Sequence, residues 1–286
     1  MRIIALMNQK GGVGKTTTTA NLGAALAEQG KSVCLIDLDP QSHLTINHGL
    51  DPSPQLPSLY HVLSDQKTFS EAMAKIDERI SVMPGSIDLA AAEVELANVE
   101  GRETLLKARM LPAVTGFDFV LMDCPPSLGL LTINALAVAD EVIVPMQPHF
   151  LALQGVGKLL ETVALVSRRM NPRLKVSGIV LTLFDSQTKL CGEVVNDLTQ
   201  FIAAASGQNL PWSHARIFTT RIRRNIKLAE SPSFGQTILK YDAASHGASD
   251  YRSLAKEVLE MRSAEPSVTV SINPAMKSPA PTALAG

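Results

Sequence analysis

Lys10-Gly11-Gly12-Val13-Gly14-Lys15-Thr16-Thr17 is the stretch that decides the fold. It follows the apolar run Arg2–Met7, which reads as a strand, and opens a helical pattern from about Thr16 to Gln29 that Gly30 ends. Glycines let such a loop turn its backbone N–H groups inward around phosphate oxygens. The helix that follows adds its positive N-terminal end. In that setting Lys15 reaches the β- and γ-phosphates of a nucleotide, and the Thr16 hydroxyl binds Mg²⁺. All eight residues are candidate ATP contacts. A glycine-rich turn without a ligand is the plain alternative, and the strand–loop–helix context argues against it. The strict pattern G-x-x-x-x-G-K-[ST] asks for glycine at position 9, where this chain has Gln9. Lys10 is more positive charge than one bound nucleotide needs; in a monomer it would be a solvated loop charge.

Working outward, Ser32–Asp37, Ile80–Met83, Phe117–Asp123, Val142–Pro145 and Val176–Phe184 read as strands. Asp88–Asn98, Leu151–Met170, Cys191–Ala205 and Ala248–Met261 read as helices, and Asp51–Ser58, with three prolines, as loop. Strands that are apolar throughout and separated by helices predict an α/β fold. The expected architecture is a P-loop NTPase, a mostly parallel twisted sheet with helices on both faces. Ligands of such sheets bind at the carboxyl ends of the strands. Asn8–Thr17, Asp37–Gln41 and Asp123–Pro126 all fall at such ends. Two carboxylates, Asp37 and Asp39, would repel phosphates unless metal or water intervenes, so they suit holding Mg²⁺ or orienting an attacking water. Capping a turn is their plain alternative. Asp123 closes an apolar strand, where an acid reaches Mg²⁺ through water.

The chain has 286 residues, 45% of them hydrophobic, so a sizeable core can form. Its net charge, 26 − 27 = −1, leaves any nucleic-acid contact to a local patch. Cys34, Cys124 and Cys191 lack metal-ligand spacing and read as reduced core thiols. The apolar start is too short for a signal core, and no run approaches the ~20 residues that span a bilayer. A cytoplasmic protein is expected. From about Ser263 prolines and small residues dominate, so a single domain over residues 1–262 and a disordered tail over 263–286 are expected.

From Arg2 to Met261 the chain resembles the deviant Walker A ATPases of the ParA/MinD superfamily, and most closely the ParA/Soj partition ATPases. The resemblance rests on Lys10–Thr17, on Asp37-Leu38-Asp39-Pro40-Gln41, on Asp123 with Cys124-Pro125-Pro126-Ser127, and on Ser127–Leu136. Arg224-Asn225-Ile226-Lys227-Leu228-Ala229-Glu230-Ser231-Pro232-Ser233 looks like a further family segment, with Arg223 where proline is usual. The resemblance implies that Lys10 reaches the partner's nucleotide across a dimer interface, that Asp39 is the hydrolytic aspartate, and that Cys124–Ser127 senses the γ-phosphate. Asp39, Lys10 and Lys15 are then the catalytic set, and Thr16, Asp39 and Asp123 the metal set. It implies an ATP-dependent homodimer on non-specific double-stranded DNA, nucleoid-associated, that positions a chromosome, plasmid or large assembly. A ParB-like or cargo-adaptor partner would stimulate its slow hydrolysis. With the first strand at residue 2, a short form without an N-terminal helix-turn-helix is expected.

Arg216, Arg221, Arg223, Arg224 and Lys227 are the candidate DNA contacts, because no acid occurs between Asp197 and Glu230. A helical turn would gather Arg223, Arg224 and Lys227. A solvated face is the plain alternative. Two other functions compete. A MinD-like membrane-cycling ATPase needs an amphipathic basic C-terminal helix, and Val268–Pro274 alternates and breaks instead. No membrane contact is expected. A metabolic P-loop enzyme needs either an exposed cysteine pair, of which none is obvious, or a small-molecule pocket.

Overall fold

Successive residues of a strand face opposite sides of its sheet. In the first strand, β1 (Arg2–Leu6), both parities are apolar and both are buried: Ile3 and Ala5 join one core, Ile4 and Leu6 the other. The same division runs through β2 (Val33–Asp37) and β5 (Phe119–Asp123), so helices must cover both faces. The computed structural model describes residues 1–149, 152–185 and 189–263. Its remaining strands are β3 (Ala74–Lys75), β4 (Ile80–Met83), β6 (Glu141–Met146), β7 (Lys175–Phe184) and β8 (Arg216–Arg223). They form one eight-stranded sheet in the order β3-β4-β2-β5-β1-β6-β7-β8. Every pairing is parallel except that of β3 with β4. The expected mostly parallel, doubly covered sheet is the observed one.

One face carries the helices Lys15–Glu28 and His246–Ser263, through Leu22, Ala25, Tyr251, Leu254 and Val258. The other carries Leu130–Val138, Ala152–Arg169 and Lys189–Ala205, through Leu131, Leu136, Leu159, Val163 and Leu198. Most element boundaries fall within two residues of the sequence reading. Helix Asp88–Asn98 divides into an α-helical Leu89–Glu95 and a 3₁₀ turn Leu96–Asn98. The last helix runs through Ser263, and the expected tail beyond it lies outside the described residues.

The sequence reading missed β8. Arg216-Ile217-Phe218-Thr219-Thr220-Arg221-Ile222-Arg223 is an edge strand, and of the three cations expected on one helical turn Arg223 ends that strand while Lys227 lies in the short helix Ile226–Glu230. Two isoleucines and two threonines favour extended backbone, and arginines are common on exposed edges. Phe218 and Ile222 share the buried face, but the position between them is the only partly buried Thr220, so the apolar alternation that marks a strand is weak.

Candidate nucleotide site

Pairing register builds the site. Leu6, the last residue of β1, pairs with Asp123, and so does Asp37 at the end of β2. The glycine-rich loop therefore leaves β1 beside two carboxylates. Within it Gly12 and Gly14 take φ of 72° and 81°, values that β-carbon-bearing residues rarely adopt. The buried Asn8 side chain bridges the Lys10 N–H and the Pro145 carbonyl. The Thr182 hydroxyl of β7 donates to the Val13 carbonyl at 2.7 Å. The loop is thus held from both flanks before any ligand arrives.

Lys15 opens the helix Lys15–Glu28 and is buried, its ammonium 3.3 Å from the Lys10 carbonyl. Burial lowers its pKa, while Asp123 and Asp39 pull it back up. Asp123 is fully buried, and burial followed by the neighbouring Asp37 pushes its carboxyl far above the ordinary range, against the Thr16 hydroxyl and Lys15. Thr19 donates to Asp123 Oδ1 at 3.3 Å, but Oδ2 is buried with no hydrogen-bond partner. An orphaned carboxylate oxygen beside a threonine hydroxyl and a lysine suits a hydrated divalent cation.

The two strand-end aspartates differ. Asp37 is fully buried and accepts from the backbone N–H of Thr45 at 2.9 Å and its hydroxyl at 2.6 Å. The Thr45 hydroxyl accepts in turn from Gly85 N–H. Asp37 thus ties loops together, and burial raises its pKa too. Asp39 is half-buried, accepts from Gln41 N–H at 3.0 Å, and lies close enough to Lys15 to act on its charge. Lys10 is exposed, and its ammonium touches the His149 ring rather than an acid of its own site. The three cysteines are buried and free, and burial raises the Cys34 thiol to about 12.

A cleft of about 120 Å³ opens beside the loop, lined by Gly14, Thr17, Thr182, Arg223, Asn225 and Tyr251 among others. Thr182 and Tyr251 escaped the sequence reading because they come from distant segments with no motif of their own, whereas Asn225 lies in the family-like segment Arg224–Ser233, which was read for its charge alone.

The five candidate DNA contacts do not form one patch. Arg216 starts β8 and Arg223 ends it, which puts them ~23 Å apart at ~3.3 Å per residue. Arg223 pairs with Asp250 at 2.6 Å and lines the cleft. Lys227 pairs with Glu230 at 2.9 Å. The Arg221 guanidinium donates to the Phe218 carbonyl and lies 5.8 Å from the Phe184 ring centroid. Arg224 and Arg216 are exposed and enter no ion pair among the described residues. The stretch is free of acids in sequence only; Asp250 reaches it from another element.

Residues 1–176 match a family described as AAA domain. The sporulation initiation inhibitor protein Soj of Bacillus subtilis (strain 168) is 41% identical over 90% of this chain and 98% of its own length. The chromosome partitioning protein ParA of Myxococcus xanthus (strain DK1622) is 38% identical over 91% of this chain and 88% of its own. A solved structure of cobyrinic acid a,c-diamide synthase from Mycobacterium smegmatis, with bound ATP analog and magnesium, superposes with a TM-score of 0.77. It is 40% identical and covers 92% of this chain and 96% of that one.

Proposed function

The chain belongs to the Soj/ParA family of partition ATPases, and from that premise we propose that it is an ATP-driven dimer that binds DNA without sequence preference and positions a cargo. The observation that carries this reading is Lys10. Lys15, Thr16 and Asp123 already suffice for one Mg-nucleotide, and Lys10 is left exposed at the mouth. A second protomer facing that mouth would receive its charge. Lys15 and the loop N–H groups hold the phosphates. Thr16, Asp123 and Asp39 would hold Mg²⁺, directly or through water, and the ion would supply positive charge to the phosphates. Asp39 orients the attacking water. The cleft at Thr17, Arg223 and Asn225 takes the base end of the nucleotide. Exposed Arg224 contacts a DNA phosphate at the nucleotide end, with Lys227 beside it when Glu230 lets go. A ParB-like or cargo-adaptor partner stimulates turnover, and the protein works on the nucleoid in the cytoplasm.

The MinD-like alternative finds no support in the last described helix, whose Ala248, Tyr251, Leu254, Ala255 and Val258 are buried against the sheet. No helix among the described residues is long and apolar enough to cross a membrane. The name of the Mycobacterium smegmatis relative keeps a metabolic reading open, but the open groove lined by Arg168, Lys175 and Arg216 lies at the far ends of the strands from the phosphate loop. One experiment separates the readings: ATPase rate and gel shift with DNA, and rate with cobyrinic acid, each with ATP, with ADP and without nucleotide. ATP-dependent, salt-sensitive binding of unrelated DNA sequences is expected, with no response to cobyrinic acid. Acceleration by cobyrinic acid together with no DNA shift would reject the partition reading.

The buried acids make metal loading pH-dependent. Burial, with the neighbouring Asp37, pushes the Asp123 carboxyl up to about 8 in the folded chain, against about 3.9 unfolded. Between those values the folded state holds more protons than the unfolded, so stability of the nucleotide-free protein falls as pH rises from about 4 to about 8. Mg-ATP binding at pH 7 should expel about one proton as the carboxyl ionises. Calorimetry in buffers of different ionisation enthalpy reads that release, and Asp123→Asn should reduce it to what the neighbouring Asp37 contributes. Asp123→Asn should also flatten the pH dependence of melting. Heats independent of the buffer would show that Asp123 is already ionised.

A further inference from the structure

At the ends of the strands opposite the phosphate loop lies an open groove of about 1090 Å³. Its lining includes Arg168, Arg173, Lys175, His214 and Arg216, and no carboxylate among the described residues that line it. These side chains come from the end of helix Ala152–Arg169, the turn into β7 with its first residue Lys175, and the segment that leads into β8. Arg168, His214 and Arg216 are exposed. The acids behind the groove are occupied. Asp140 accepts from Ile3 N–H and sits 3.9 Å from Arg173. Glu141 is bound by Arg2 at 2.7 and 2.8 Å and by the Ser177 hydroxyl.

The net charge of the whole chain is −1, so this cluster is a local excess with no counterpart in the bulk. Like charges around one space repel, and an anion relieves the repulsion. The space is far larger than a single phosphate, and its cations are spread over three segments. That shape fits an extended polyanion. On the reading that this protein associates with DNA, we infer that the groove is a phosphodiester-binding face, distinct from Arg224 at the nucleotide end. Arg168 and Arg216, which enter no ion pair among the described residues, would supply the charge.

The test uses full-length protein with ATP and a duplex of arbitrary sequence, titrated at several salt concentrations. Each lost phosphate contact lowers the slope of log K against log[salt] by about 0.9. Arg168→Ala with Arg216→Ala should therefore cut it by about 2 units, weaken binding across all sequences, and leave DNA-free ATP turnover unchanged. The matching double lysine variant should keep most of the slope. An alanine double variant with wild-type slope and affinity overturns the groove assignment while leaving DNA association in place. So does a variant that loses binding of a labelled oligoglutamate peptide but not of DNA, since the face would then take an acidic protein segment. A wild-type protein that binds no DNA at all overturns the functional reading, and the groove assignment with it.

Discussion

Lys10→Ala is expected to lower ATP turnover by about 10³-fold, the low end of what a cationic finger contributes to phosphoryl transfer. The same change should leave Mg-ATP affinity of the protomer close to wild type. The split follows from placement. Lys15 is buried at the start of its helix, within electrostatic reach of Asp123 and Asp39, and serves the protomer's own phosphates. Lys10 stands outside that cluster, exposed, with its ammonium against His149. Removing a group absent from the ground-state site spares binding and slows chemistry. ATP-dependent dimerisation should weaken as well, because the partner's γ-phosphate loses a counter-charge. Stopped-flow binding of a fluorescent ATP analogue and phosphate release read the two effects separately. Loss of nucleotide affinity with unchanged turnover of bound ATP would place Lys10 in its own site instead.

Asp39→Ala is expected to slow hydrolysis by about 10²- to 10⁴-fold, the range for a group that positions or activates a nucleophile. Binding should survive, so the ATP-bound dimer accumulates on DNA. Asp37→Ala should behave differently. Asp37 is buried and holds both the N–H and the hydroxyl of Thr45, which in turn holds Gly85. Its loss leaves those donors unpaired, and each buried unsatisfied group costs about 1–3 kcal/mol. Asp39→Ala should therefore keep the wild-type melting temperature, and Asp37→Ala should not. Wild-type hydrolysis by Asp39→Ala would move the water-orienting role elsewhere.

The phosphate loop was legible because its chemistry is local. Glycines at 12 and 14, Lys15 and Thr16 follow one another, and a strand and a helix flank them. Asp123 was legible for the same reason, as the acid that closes an apolar strand. What sequence left out depends on register and on distant segments. That Asp37 stands beside Asp123, and is therefore taken up by Thr45, follows from the pairing of β2 with β5. The surroundings of the basic stretch were not legible, because Asp250, which pairs with Arg223, comes from a distant helix, and because the strand that sets Arg216 apart from Arg223 carries no clear apolar alternation. The groove at Arg168 and Arg216 carries no motif, since the fold alone brings its three segments together.

The central claim is that two protomers complete each other's site. Mixing Lys10→Ala with Asp39→Ala tests it most directly. Each variant alone should be nearly inactive. In a mixed dimer the Lys10→Ala protomer keeps its own Asp39 and receives Lys10 from its partner, so one site of the two is whole. Half of randomly formed two-fold dimers are mixed, so an equimolar mixture should recover roughly a quarter of wild-type turnover. A mixture no more active than the sum of its parts would contradict the account, because Lys10 would then serve only the protomer that carries it.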